Sequence, residues 1–134
     1  MKKIIFKISI AVAIALFGFS FTTFKQDPWA VPAKYKKMEN PTKGDKENIS
    51  IGKVLFDKHC KSCHGKAGLG DGPKAKELDT PSGDFSLATF QSQSDGELFY
   101  KTTFGRDDMP AYEKKISSDE DRWILVHYLR TFKN

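Results

Sequence analysis

Cys60-Lys61-Ser62-Cys63-His64 constrains this chain more than any other stretch, because it reads C-x-x-C-H. That is the attachment pattern of a c-type haem. Two thiols add across the two vinyl groups of the porphyrin, and the two residues between them set the separation. The histidine that follows supplies an imidazole nitrogen to the iron as proximal ligand. A covalently held haem carries the redox chemistry itself, so the protein's task reduces to ligation, burial and presentation. Two other readings of a C-x-x-C pair are weaker. Zinc takes four ligands, but only His59 and His127 remain as further histidines and there is no second C-x-x-C. A thioredoxin-like dithiol needs a βαβ context, and no such pattern is visible.

The chain has 134 residues, which suggests one domain. Eleven Phe, four Tyr and two Trp supply an apolar core. Both cysteines sit in the motif, so no structural disulfide is available and haem is the expected staple.

Residues 1–24 read as an export signal. Lys2, Lys3 and Lys7 form a positive head, followed by fourteen largely apolar residues from Ile8 to Phe21. That is short for a spanning helix of about 20 residues and suits a signal peptide. The alternative is an uncleaved anchor over Ile4 to Phe24, interrupted by Lys7. Either way the haem domain is expected outside the cytoplasm, periplasmic or held to the outer side of the cytoplasmic membrane. The net charge is +5, and losing the three leader lysines would leave +2. Acids and bases are interleaved through the remainder, so no nucleic-acid partner is expected.

Residues 25–47 read as an extended lead-in arm, because Pro28, Pro32 and Pro41 forbid a long helix. Trp29, Val31 and Tyr35 are the residues to pin it onto the domain. The haem domain proper is expected over residues 48–134. Its first helix spans Asn48 to His59, with Ile51, Val54, Leu55 and Phe56 at helical spacing. Gly52 in its middle predicts close approach of another helix, with Tyr128 as the partner. A capping box at Ser94 and Glu97 opens a helix running to about Thr103, ended by Gly105. Another at Ser117 and Glu120 opens the C-terminal helix carrying Trp123, Ile124, His127 and Tyr128. Residues 66–93 read as loop, with a short helix at Pro73–Leu78. No strand is expected, and the fold class is all-α.

The sixth iron ligand has to come from downstream of His64. Met109 is the candidate, in the loop Gly105-Arg-Asp-Asp-Met-Pro110, since Met1 and Met38 both precede the motif. Methionine is a soft ligand that raises the potential. His59 adjoins Cys60 and is expected to face solvent. His127, mid-helix, is expected packed or partly exposed.

With these residues in view, the chain resembles the class I c-type cytochromes, in particular the small bacterial monohaem ones. The similarity covers about Ile49 to Phe132. It rests on Gly52-Lys-Val-Leu-Phe56 with Cys60 to Gly65, on Gly72-Pro73, on Asp95-Gly-Glu-Leu98 through Gly105-Arg106 to Met109-Pro110, and on Asp121-Arg-Trp123 to Arg130. The resemblance implies three to five helices wrapped around one haem c. It also implies one-electron transfer between Fe(III) and Fe(II) rather than enzyme catalysis by the chain alone. It places Cys60, Cys63 and His64 at the cofactor, Met109 on the iron, and the Pro73 carbonyl as hydrogen-bond acceptor for His64. Arg106 or Trp123 is a candidate for a haem propionate.

The expected function is that of a monomeric electron carrier in an extracytoplasmic chain, with dehydrogenase or oxidase complexes as redox partners. Lys58, Lys61, Lys66, Lys74 and Lys101 are the residues to steer an acidic partner. The alternative is a haem c subunit of a larger membrane or periplasmic oxidoreductase complex. A haem enzyme or gas sensor with an open iron is the least supported reading.

Overall fold

The computed structural model describes residues 28–133, so the leader over residues 1–24 lies outside the described residues. Three helices longer than a single turn organise the fold: α2 (Lys46–His59), α5 (Asp95–Phe104) and α6 (Asp119–Arg130). Single turns make up α1 (Ala33–Lys36), α3 (Lys61–His64) and α4 (Ala88–Gln91), with a 3-10 turn at Ala75–Glu77. Among the described residues there is no strand, only an isolated bridge between Arg106 and Met109. No helix among them is long and apolar enough to cross a membrane.

The helix starts follow from their caps. α2 begins at Lys46, two residues before the expected Asn48, because the Asp45 carboxylate accepts from the Asn48 N–H at 3.0 Å. α5 carries the expected capping box, with both the Ser94 and Glu97 side chains engaged. α6 is capped by Ser118 rather than Ser117, and Ser118 accepts from the Asp121 N–H. That register puts Asp119, Glu120 and Asp121 in the first turn, where the helix dipole favours negative charge. The expected helix at Pro73–Leu78 shrinks to the 3-10 turn, and α4 lies in a stretch read from sequence as loop.

The core forms on α6, which packs against α2 and α5. One cluster holds Phe56, Cys60, Phe85, Tyr112, Ile116, Leu125 and Leu129. The second holds Leu98, Phe99, Trp123 and Val126, with the Phe99 and Trp123 rings stacked at 4.0 Å. The α2–α6 crossing is as close as the sequence suggests. A Cβ at Gly52 would lie 2.7 Å from Tyr128 Cβ and 2.9 Å from the Ile124 carbonyl.

The segment before α2 runs along this core and contains a helical turn, so it is more structured than the extended arm expected. Val31 is buried. The Tyr35 ring packs on Tyr100 and Phe104, at 4.7 and 5.7 Å. Further along, Asn40 Nδ2 donates to the Trp123 carbonyl at 3.0 Å, and His127 Nε2 lies 3.0 Å from the Thr42 carbonyl.

Candidate functional site

Cys60, Cys63 and His64 are brought to one face by helix geometry alone. The Cys63 and His64 N–H groups both donate to the Cys60 carbonyl, at 3.1 and 2.9 Å, so the motif is one turn continuing from α2. Residues three and four apart on such a turn are neighbours. The turn stops at Gly65, whose φ of +78° suits glycine. Its open carbonyls are then met by the glycine-rich loop that follows. Gly70 N–H donates to His64, Gly72 N–H to Cys63 and Lys74 N–H to Ser62, at 2.9–3.1 Å. A Cβ at Gly72 would strike the Ser62 and Cys63 backbone, so only glycine lets the loop come so close.

Met109 is presented by a tight turn. Arg106 and Met109 exchange both backbone hydrogen bonds at 2.9 Å, with Asp107 at φ +51° between them. Asp108 takes the Thr80 N–H at 3.0 Å, tying this turn to the 80–82 segment. Behind it, Tyr112 donates its hydroxyl to the His59 carbonyl at 2.7 Å, joining the turn to the end of α2.

The two ligand candidates meet in one cleft with two lobes. A small lobe of about 90 Å³ is lined by Cys60, Cys63, Pro110 and Tyr112. A larger one of about 400 Å³ is lined by Phe85, Phe90, Leu98 and Leu129. His64, Met109, Trp29, Pro81, Ser82 and Arg106 line both. An apolar cleft of this order with a few convergent polar groups is the usual form of a cofactor site.

Electrostatics suit the two ends of the site to a metal-bound porphyrin. Burial drives the His64 imidazole down to about 4, opposed in part by the neighbouring Ser82 backbone, so it stands neutral with a free lone pair. Its Nδ1 is buried without a hydrogen-bond partner. The ring lies against Phe85 at 4.4 Å, and Phe85 stacks on Phe90. Burial pushes the Cys60 thiol up to about 12, and neither cysteine is disulfide-bonded. A neutral imidazole with an orphaned nitrogen, two unpaired thiols one turn apart and a thioether on one apolar cleft fit a covalent haem. When bound, such a group supplies a reversible one-electron centre. Cys60 and Cys63 would hold it, and the Phe85 ring packs against the imidazole that would face it.

Of the residues singled out from sequence, Cys60, Cys63, His64, Arg106 and Met109 share this cleft. Pro73 does not: it is exposed and lines neither lobe. The glycine loop that carries it caps α3 through its N–H groups, and Pro81 and Ser82 line the cleft beside His64. Trp123 is buried in the second core cluster, so the propionate candidacy falls to Arg106. His59 is half-buried rather than solvent-facing, with its ring edge-on to Tyr112 at 5.8 Å. His127 is half-buried beside Thr42, as expected. Lys101 is half-buried too, bonded to Gln93, whereas Lys58, Lys61, Lys66 and Lys74 are exposed. Sequence reasoning missed Trp29, Phe85 and Tyr112 as site residues. Only their aromatic character signalled them, and the chain has seventeen aromatics.

Comparison with known proteins agrees with this geometry. The family model described as "Cytochrome C oxidase, cbb3-type, subunit III" matches residues 47–129. Among solved structures, a chain of the reducing HAO-like protein complex of Kuenenia stuttgartiensis is similar, with a TM-score of 0.65 and 26% identity. The match covers 83% of this chain but 53% of that one, so the present chain spans about half of its solved relative. No curated protein sequence matches. Since the family model spans well over half of the sequence, the chain belongs to this family: it is a c-type cytochrome, an electron-transfer protein of a family that carries haem c.

Proposed function

We propose that the protein is a one-electron carrier in an extracytoplasmic electron-transfer chain, holding one haem c through Cys60 and Cys63 with His64 and Met109 on the iron. The observation that carries this reading is the convergence of those four side chains on one apolar cleft. Two protein ligands leave no position for a substrate, so electrons pass through the porphyrin edge to a protein partner. Pro81 and Ser82 line the cleft beside His64, and the Phe85 ring packs against the imidazole at 4.4 Å. Asp108 and the Arg106–Met109 turn fix the thioether. The leader over residues 1–24 supports export, where haem attachment of this kind takes place, and also permits a tether to the membrane.

A second reading, a haem c subunit of a larger oxidoreductase complex, is favoured by the comparisons. The matched family is named for an oxidase subunit, and the solved relative is a chain of a complex. A partner that stays bound through purification would select this reading, and a monomer that exchanges electrons by collision would select the free carrier.

The test is an absorption spectrum of the exported protein, oxidised and reduced, with carbon monoxide added to the reduced form. A sharp reduced α-band, the weak red band of methionine-ligated ferric haem and no carbon monoxide shift are expected. A high-spin spectrum with rapid carbon monoxide binding refutes His64/Met109 ligation.

A further inference from the structure

The segment ahead of the family-matched residues reaches into the haem cleft. Trp29 lines both lobes. Its ring carries two cations: the Arg106 guanidinium carbon lies 4.8 Å from the centroid and Lys101 Nζ 5.5 Å. Both cations also line the larger lobe. Aromatic faces attract cations, more strongly as water is excluded. Trp29 is half-buried, and the chain behind it is fastened at several points: buried Val31, Tyr35 on Tyr100, Asn40 on Trp123. The Tyr35 carbonyl lies so close to Gly96 that a Cβ there would strike it. The position of the indole is therefore set by the fold.

We infer that Trp29 is a cofactor-contact residue that closes the mouth of the haem cleft and holds Lys101 and Arg106 there, raising the reduction potential. The oxidised centre carries one positive charge more than the reduced one. Two cations kept beside the cleft oppose that extra charge: Lys101 is half-buried, and Arg106 acts in part, since Asp107 pairs with it at 3.1 Å. Opening the mouth hydrates the ferric form and screens the cations. Both changes favour oxidation, so they act in the same direction.

This inference rests on the haem reading above. The experiment uses the full-length exported protein with haem attached, as wild type, Trp29→Ala and Trp29→Phe. Trp29→Ala is expected to shift the redox equilibrium toward the oxidised form at least threefold, about 28 mV lower at 59 mV per decade for one electron. Trp29→Phe keeps a ring for the cations and is expected to shift it less. In the proton NMR spectrum of the reduced wild type, the indole signals missing from Trp29→Phe are expected well away from ordinary tryptophan positions, moved by the porphyrin ring current. An unchanged potential in Trp29→Ala, or indole signals at ordinary positions, overturns the inference. If Trp29→Ala does not fold, the wild-type spectrum and Trp29→Phe decide. Loss of the reduced α-band from the wild type itself would instead refute the haem reading, so the two failures are distinguishable.

Discussion

Gly52 offers the sharpest test of how the haem-bearing helix is held. Alanine is about 1 kcal/mol better than glycine inside a helix. On propensity alone, Gly52→Ala would therefore stabilise the protein. At this position the new methyl would lie 2.7 Å from Tyr128 Cβ and 2.9 Å from the Ile124 carbonyl oxygen. Neither is the free end of a flexible side chain: one is the carbon bonded directly to the Tyr128 backbone and the other is helix backbone. Relief requires α2 and α6 to separate by several tenths of an ångström, and overpacking of this kind costs about 1–3 kcal/mol. With two rigid contacts the upper end applies, so the net effect is a destabilisation of about 2 kcal/mol after the propensity gain. The assay is denaturant unfolding of the haem-attached protein, wild type against variant, followed by helical circular dichroism. The expected result is a lower midpoint with an unchanged slope. A midpoint that rises would show that the helices part without cost, and would refute the view that this crossing is rigid. A second readout follows from position. Cys60 closes α2, eight residues beyond Gly52, so displacement of the helix should also perturb the haem spectrum.

Further predictions concern the site and its supports. Met109→Ala should leave the haem attached, abolish the weak red band of the oxidised protein and allow carbon monoxide to bind the reduced form; retention of the band would refute Met109 as ligand. Asp108→Ala removes the acceptor for the Thr80 N–H, so the same band should fade at lower denaturant concentration than in the wild type, before global unfolding. Arg122 is 3% exposed and donates to the Ile116 and Glu113 carbonyls. Arg122→Met leaves those carbonyls without a donor and should cost about 1–3 kcal/mol in denaturant unfolding. Glu97 is held below the usual carboxylate range by the Ser94 N–H it accepts from. A depressed folded value means its contribution is complete above the ordinary carboxylate range and is lost as pH falls through the lowered one. Glu97→Gln should therefore flatten that part of the acid limb of the stability profile; an unaltered limb would count against it.

Legibility in the sequence tracks how local the cause is. The haem turn, the Ser94 capping box and the glycine-forced crossing at Gly52 are each written in a few adjacent residues or a single stereochemical demand. Helix caps are less sharply encoded where two serines stand together, and Ser118 rather than Ser117 takes the role. The stretch after the motif is harder to read. The loop bearing Pro73 spends its backbone N–H groups on the open carbonyls of α3. The chain lines the cleft beside His64 again at Pro81–Ser82, after the 3-10 turn. No periodicity announces that return, because it is fixed by loop hydrogen bonds such as Phe85 N–H to Gly68. Phe85 and Tyr112 were hidden in the same way, as two aromatics among many.

The boundary of the family match and the boundary of the folded unit are set by different physics. The match begins at residue 47, inside α2, thirteen residues before the C-x-x-C-H motif opens at Cys60. The packing begins earlier. Val31 is buried, Tyr35 sits against α5, and Asn40 reaches the α6 backbone at Trp123. α6 in turn supplies Leu129 to the cleft and Leu125 to the cluster against which Met109 packs. One helix thus touches both the leading segment and the cofactor wall, and the leading segment touches the cleft again through Trp29. A segment bound at both places cannot shift without altering the mouth of the site. If it also leads back to a membrane tether or a partner subunit, that attachment point is mechanically joined to the cleft through residues 28–46. The consequence is measurable: cleavage or crosslinking within this segment should move the reduction potential, whereas the same treatment at Lys133, beyond α6, should leave it unchanged.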